Sequence, residues 1–280
     1  MPAPQPRLMS ELAKNQFRSF AIRIPSDWKP NAGALAEMFN NAFATGERSA
    51  VPAPMPPALF LAASPNTLHV KTQKEMSRHF GDFIDGICGA ICSAWARWQS
   101  LAILSGVQVN AVVAAGGVVT GPPLAPLILA EAPKGSQQEQ KFSRAIATAI
   151  SQGWQTYQAT LTIPGLPLYP AFAAFPAPFA PPTPNVPVPV AALAQVPLSV
   201  SKSALKVAMI AALGDPRALH QLELFDAIAA AFADCFSVWQ STTMVTNLLA
   251  SGPVPTFAPP AVPTGPVVGG SATMAPGGFA

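Results

Sequence analysis

Long runs without a single charged residue constrain this chain more than any other feature of its sequence. Residues 98–130, 145–201 and 235–280 contain no Asp, Glu, Lys or Arg, and a shorter run covers residues 49–70. A typical soluble domain has about 25% charged residues, whereas this chain has 10%. A monomer with so little charge disperses poorly in water. We therefore expect the uncharged runs to lie on protein, either on the chain's own helices or on neighbouring subunits.

The composition of these runs argues against membrane-spanning helices. A spanning helix needs about 20 consecutive apolar residues. Residues 145–201 contain eleven prolines and residues 235–280 contain seven. Proline lacks a backbone N–H and disrupts a helix interior. The best candidate for a span, residues 101–119, is interrupted by glycines and polar residues. The sequence instead predicts extended, polyproline-like arms.

Three segments share one spacing of large apolar residues. They begin at Phe83, Phe142 and Leu224, place apolar residues at offsets 0, 4, 8, 12 and 15, and continue with Gln. This spacing forms one stripe of an α-helix. Each segment then leads into an uncharged stretch. The chain thus reads as three helix-plus-arm repeats, and residues 35–43 give a weaker fourth copy.

These patterns predict a mainly α fold with extended Pro-rich arms. Short β-hairpins are a further option at residues 107–113 and 160–163, where β-branched residues gather. Additional helices are expected at residues 6–18 and 203–213. Four parts follow: residues 1–70 (N-terminal helices and the first Pro-rich segment), 71–135 (first helix and a Gly/Pro arm), 136–201 (second helix and the long Pro-rich arm) and 202–280 (third helix and the C-terminal arm).

No motif in the sequence predicts catalysis. The three histidines, His69, His79 and His220, have no second His or Cys at metal-ligand spacing. Cys88 and Cys92 lie four residues apart on one helical face, as small core residues often do. The chain has neither a phosphate-binding glycine loop nor a nucleophile elbow. We expect no enzyme activity, no cofactor and no metal site.

Charge and composition favour protein partners. The basic residues are scattered, so no patch is expected to neutralise adjacent phosphates, and nucleic acid is not an expected partner. The first 30 residues contain no apolar run of the signal-peptide type, which predicts synthesis in the cytoplasm followed by residence in an assembled particle. We expect a non-catalytic structural subunit, as in a phage virion, tail or tail-like injection machine, that contacts copies of itself or other structural proteins. The alternative is a membrane-associated or pore-forming protein that inserts an apolar helix near residues 83–119.

Large aromatic residues dominate the energetics of protein interfaces. In this chain they concentrate at the ends of the three helices and along the Pro-rich arms. The expected interface anchors are Trp95, Trp98, Trp154, Tyr157, Phe172, Phe175, Phe179, Phe236, Trp239 and Phe257.

Overall fold

A computed structural model describes residues 3–20, 64–193, 198–216, 218 and 220–280, with the backbone alone described for 64–77. The chain divides into two compact units, Met1–Phe17 with Ile84–Ala280, and Arg18–Phe83. Of the second unit, the described residues are 18–20 and the helical residues 64–83. The weaker fourth copy expected at residues 35–43 lies outside the described residues.

In the described residues the chain forms six α-helices and eight β-strands. The helices are α1 (Pro6–Ser19), α2 (Ser64–Leu101), α3 (Leu124–Glu131), α4 (Gln137–Thr160), α5 (Lys202–Leu213) and α6 (Gln221–Thr242). The strands are β1 (Ile103–Asn110), β2 (Val113–Thr120), β3 (Ile163–Pro167), β4 (Phe179–Pro184), β5 (Val188–Pro189), β6 (Met244–Val245), β7 (Leu248–Pro253) and β8 (Gly270–Met274).

Local signals account for the helix boundaries. Helix α4 begins with a capping box, in which the Ser136 side chain accepts from the Glu139 backbone N–H while the Glu139 carboxylate accepts from the Ser136 N–H. Helix α5 begins after Ser201, whose hydroxyl accepts from the Ala204 N–H, and ends at Gly214 in the left-handed conformation. The predicted helices at residues 6–18 and 203–213 are confirmed by α1 and α5.

The uncharged runs form an antiparallel sheet, so the predicted mainly α fold with extended arms is wrong. Six strands lie in the order β3-β2-β1-β8-β7-β4, each antiparallel to its neighbours, and β5 and β6 form a separate ribbon. The described residues form an α/β mix, with about 53% of them in helices and 22% in strands.

Proline position explains why Pro-rich segments form strands here. The prolines of the large sheet fall mainly on its two edge strands, β3 and β4, where a missing N–H costs no ladder hydrogen bond on the outer side. The four central strands are built mainly from Val, Ala, Gly, Ser and Leu. The edge prolines are Pro164 and Pro167 on β3 and Pro181, Pro182 and Pro184 on β4.

The last strand of the chain, β8, lies in the middle of the large sheet. Strand β8 pairs with β1 on one side and with β7 on the other. Beyond β8, the backbone of Ala280 exchanges two hydrogen bonds with Met244, and Phe279 is buried at 3% exposure. The C-terminal residues expected to form an arm are therefore part of the core of the fold.

The C-terminal halves of α2, α4 and α6 converge on one aromatic core. Trp95 packs edge-on against Trp154 and Trp239, with ring centroids 4.9 and 5.4 Å apart. Tyr157 of α4 meets Phe236 of α6 at 4.8 Å. At the start of the same two helices, Phe142 meets Phe225 at 5.4 Å. These contacts, near the starts and near the ends of both helices, show that α4 and α6 run parallel.

The Gln that follows the last aromatic residue of each helix belongs to the same arrangement. The Trp98 indole N–H of α2 donates to the Gln158 side chain of α4 at 2.7 Å. The Trp239 indole N–H of α6 donates to the Gln99 side chain of α2 at 3.0 Å. Between α4 and α6, the Gln240 side chain lies near the Tyr157 hydroxyl, which has no hydrogen-bond partner among the described residues. Each helix end thus contacts the Gln of the next helix around a three-membered cycle.

Strands and short helices follow the same cyclic order. Strand β2, which follows α2, pairs with β3, which follows α4. Strand β4 then pairs with β7, which follows α6, and β8 returns to β1. Among the short helices, α3 contacts α4 and bonds to α2 through Ser93 and Glu131, while α5 packs on both α4 and α6. The segments that follow α2, α4 and α6 therefore pair with one another in one sheet, rather than extending as free arms.

Candidate functional site

The six-stranded sheet has one buried face and one open face. Side chains of the inner face are nearly inaccessible, as shown by Leu104, Val109, Leu248 and Ala272, each at most 1% exposed. Side chains of the other face, called here the outer face, alternate with them along each strand. Its members in the four central strands are Ile103, Ser105, Gln108, Asn110, Val113, Ala115, Val118, Thr120, Leu249, Ser251, Pro253, Ser271 and Thr273.

Strand register places small, uncharged side chains in a row across the outer face. Gln108 of β1 lies between Ala115 of β2 and Ser271 of β8, and Ser271 lies opposite Ser251 of β7. Ala115 in turn lies opposite Pro164 of β3. This row runs through the centre of the sheet. Within this row only Gln108 has a long side chain.

No strand of the large sheet contains a charged residue, and neither do the connections between β1 and β2 or between β7 and β8. Charged residues instead occur on the helices and near their starts: Glu139, Lys141 and Arg144 lie in the first turns of α4, and the rest of that helix has none. A sheet exposed to water on one face normally carries polar and charged residues there. This outer face carries Ser, Thr, Gln and Asn but no ionic group.

Apolar side chains accompany these polar residues on the outer face. Val118 is 57% exposed, Phe179 54% and Leu249 43%, and Ile103 and Val113 are also exposed. Single exposed apolar residues are common on soluble proteins. A set of them on one uncharged face is typical of a surface that contacts another molecule.

Most of the expected interface anchors are part of the internal core. The side chains of Phe175 and Phe257 are half-buried, and Phe179, on the edge strand β4, is exposed. Phe172 stacks on Tyr169 with centroids 5.2 Å apart. The remaining anchors are buried within this chain: Trp95, Trp98, Trp154, Tyr157, Phe172, Phe236 and Trp239.

Apart from Phe179, residues of the outer face were not among the predicted anchors. A local signal for them existed in β1, where Leu104 and then Val107 and Val109 are buried while the neighbouring residues are exposed. The alternation shifts at Gly106, which has φ of 77° and lies where the β1–β8 register changes. This irregularity and the surrounding glycines hide the period of two that identifies a strand.

Two carboxylates attach α1 to the longer helices. Asp85 of α2 accepts from Ser10 at 2.6 Å and from Lys14, both on α1. Burial alone would raise the pKa of Asp85, but these hydrogen bonds outweigh it and lower the pKa.

Asp226 of α6 forms the second attachment. It accepts from Gln16 of α1 at 3.2 Å and from Lys202 and Lys206 of α5 at 2.7 and 2.9 Å. Burial opposes ionisation of Asp226, and the three donors together lower its pKa. Both carboxylates therefore have partners within the helical layer.

The three cysteines are free thiols inside the helical core. Cys88, Cys92 and Cys235 are all buried. Burial raises the pKa of Cys92 to about 12 and that of Cys235 to about 11, and it raises the pKa of Cys88 further. Within the residues that have described side chains, no group of three or more His, Cys, Asp or Glu is placed to hold a metal ion.

Residues 83–119, expected in the alternative interpretation to form one inserting helix, consist of the second half of α2 followed by the β1–β2 hairpin. In the part of the chain that the structure describes, no helix has both the length and the apolar character needed to cross a bilayer.

Comparisons of this chain with protein-family models, with curated proteins and with solved structures gave no match.

Proposed function

We propose that this chain is a non-catalytic structural subunit of a large protein particle, of the virion, tail or tail-like injection machine type. It would contact copies of itself or other structural proteins through the outer face of the six-stranded sheet. The observation that carries the proposal is the absence of any charged residue from the strands of this sheet, although one face of it is exposed.

The outer face is stabilised when another protein surface covers it and removes its apolar side chains from water. Exposed Val118, Phe179 and Leu249 gain about 25 cal/mol for each Å² of apolar surface removed from water. No Lys, Arg, Asp or Glu on the strands has to be desolvated or paired when a protein surface covers the face, so the large cost of burying an ion is avoided. An uncharged face therefore favours association more strongly than an ordinary solvated sheet does.

Lipid is a poorer partner for the same surface. The centre of the outer face carries Gln108, Ser251 and Ser271, whose polar groups would lose their hydrogen bonds to water on entering hydrocarbon. The strands also lack the Lys and Arg side chains that attract anionic headgroups. These two features favour a protein partner over the membrane-associated alternative.

Light scattering on the full-length protein in detergent-free buffer tests the proposal. We expect a species of defined mass at two or more multiples of 29.0 kDa at protein concentrations of about 0.1 mM, a range in which weak interfaces become populated. A single species of monomer mass throughout the concentration series would contradict self-assembly. Parallel samples with neutral and anionic vesicles test the membrane-associated alternative. A membrane-associated chain would co-sediment with the vesicles and remain monomeric in their absence.

A further inference from the structure

We infer that the outer face binds the outer face of a second copy of this chain, so that two copies pair face to face about a twofold axis. This inference rests on the proposed function, and it names the surface and the partner. Three observations on the outer face support it: its charge, the type of its polar groups, and its area.

Charge is the first observation. In a twofold interface each residue near the axis meets its own copy, so a charged residue there would face a like charge. Like charges that face each other across an interface strongly oppose association. Strands β1, β2, β7 and β8, which form the centre of the face, contain no charged residue. This face therefore lacks the feature that most commonly prevents a surface from pairing with itself.

The chemistry of the polar side chains is the second observation. Every polar residue of the outer face is Ser, Thr, Gln or Asn, and each of these carries both a hydrogen-bond donor and an acceptor. Gln108 can therefore bond to the Gln108 or the Ser271 of a second copy without a complementary partner having to supply the opposite group. Ala115, Ser251 and Ser271 are small, which lets two sheets approach to the usual separation of about 10 Å.

Area is the third observation. Six strands about 4.8 Å apart span about 29 Å, and strands of five to eight residues are about 17–26 Å long. The outer face therefore offers about 500–750 Å² per copy, close to the roughly 800 Å² that each partner contributes to a standard interface.

The edges of the sheet are poor sites for pairing between two copies. Prolines interrupt the backbone donors of both edge strands, with Pro164 and Pro167 on β3 and Pro181, Pro182 and Pro184 on β4. Such edges resist the addition of a strand from another chain. Two copies are thus directed to meet through their faces rather than edge to edge.

Chemical cross-linking between introduced cysteines tests this pairing, because all three native thiols are buried. Gln108→Cys and Ser271→Cys each place a thiol on the outer face, and both positions are exposed in the folded chain. Gln155→Cys, at an exposed position of α4, is the matched control. Treated with a flexible bis-maleimide, the two sheet variants should yield mostly covalent dimer, and the control should yield little.

A charge at the centre of the face supplies an independent measurement. Gln108→Glu places two carboxylates near each other across the twofold axis, and we expect its dimer dissociation constant to rise at least tenfold. Gln155→Glu should leave the constant unchanged. If wild-type protein forms oligomers but neither sheet variant cross-links and Gln108→Glu assembles normally, the face-to-face pairing is wrong while the proposed function stands. If the wild type is monomeric at every concentration, the pairing is wrong, and the proposed function is limited to contacts with other structural proteins.

Discussion

The indole N–H of Trp239 donates to the side-chain carbonyl of Gln99 at 3.0 Å, and the amide of Gln99 donates to the backbone carbonyl of Phe279, also at 3.0 Å. Gln99 is only 6% exposed. One buried side chain therefore connects the end of α2, the end of α6 and the last residues of the chain. It joins the helical core to the segment that follows the central strand β8.

Replacement of Gln99 by Leu should strongly destabilise the fold. The Trp239 N–H and the Phe279 carbonyl would both lose their partner in a buried environment, which costs about 1–3 kcal/mol for each group. We expect the free energy of unfolding in urea to fall by about 2–4 kcal/mol. The control is Gln152→Leu at an exposed position of α4, which should change stability by less than about 0.5 kcal/mol. Equal effects of the two substitutions would contradict the role assigned to Gln99.

Two helical glycines should respond to Ala in opposite directions. A Cβ at Gly153 of α4 would lie 2.7 Å from the Ser199 carbonyl oxygen and 3.2 Å from Leu205, whereas a Cβ at Gly89 of α2 has no such neighbour within 4 Å. Gly153→Ala should therefore cost about 1–3 kcal/mol through overpacking. Gly89→Ala should stabilise the chain by about 0.5–1 kcal/mol, because Ala is the better helix former.

Thermal unfolding of the two variants checks this pair. The melting temperature should fall for Gly153→Ala and rise for Gly89→Ala. A fall for both would mean that α2 is packed more tightly around Gly89 than the structure shows. No change for Gly153→Ala would mean that the 198–200 turn does not lie directly on α4.

Acid should weaken the attachment of α1 and α5. Hydrogen bonds lower the pKa of Asp226 and Asp85 in the folded chain, so their stabilising effect is complete above the unfolded pKa of about 4 and is lost as pH falls through the lower folded value. We expect the wild-type free energy of unfolding to decrease below about pH 4. Asp226→Asn cannot ionise, so it should be less stable than wild type at pH 7 and should lose less stability on acidification.

Urea unfolding at pH 7 and pH 3 measures this difference, with Asp234→Asn, an exposed position of α6, as the control. The control should follow the wild-type pH dependence. An Asp226→Asn variant that follows it as well would show that the carboxylate contributes no pH-dependent stability.

Native thiols should not react with a thiol reagent until the chain unfolds. Cys88, Cys92 and Cys235 are buried, and burial raises the pKa of each, so the reactive thiolate is scarce at pH 8. In a colourimetric thiol assay we expect no reaction in buffer and three equivalents in denaturant. Rapid labelling of any native cysteine would contradict the packing of α2 against α6. The introduced thiol of Gln108→Cys should by contrast label at once at dilutions where the chain is monomeric.

Most of the helices were predictable from sequence, but α3, which lies in the expected Gly/Pro arm of residues 71–135, and the order of the sheet were not. Helical spacing is local, so the apolar stripes beginning at Phe142 and Leu224 identified α4 and α6 directly. Strands β3 and β4 were read as polyproline arms because a proline argues against a central strand. Only the sheet order shows that these segments are edges, and sheet order depends on contacts between residues far apart in sequence.

The aromatic residues show the same limit of local reasoning. Trp98, Tyr157 and Trp239 each end an amphipathic stripe, which is equally consistent with an interface and with a core. In the structure the three helix ends meet and bury these rings against one another, so the rings belong to the core. The uncharged runs were visible in the sequence. Only the fold shows that they form a sheet with one exposed face.

The outer face of the sheet is the proposed surface for pairing between copies, and sedimentation velocity tests this claim most directly. Wild type, Gln108→Glu and Gln155→Glu are compared over a concentration series up to about 0.1 mM, in the range where a standard interface is populated. We predict that wild type and Gln155→Glu sediment as oligomers at the upper concentrations while Gln108→Glu shifts to the monomer. Identical sedimentation of all three proteins would contradict the claim.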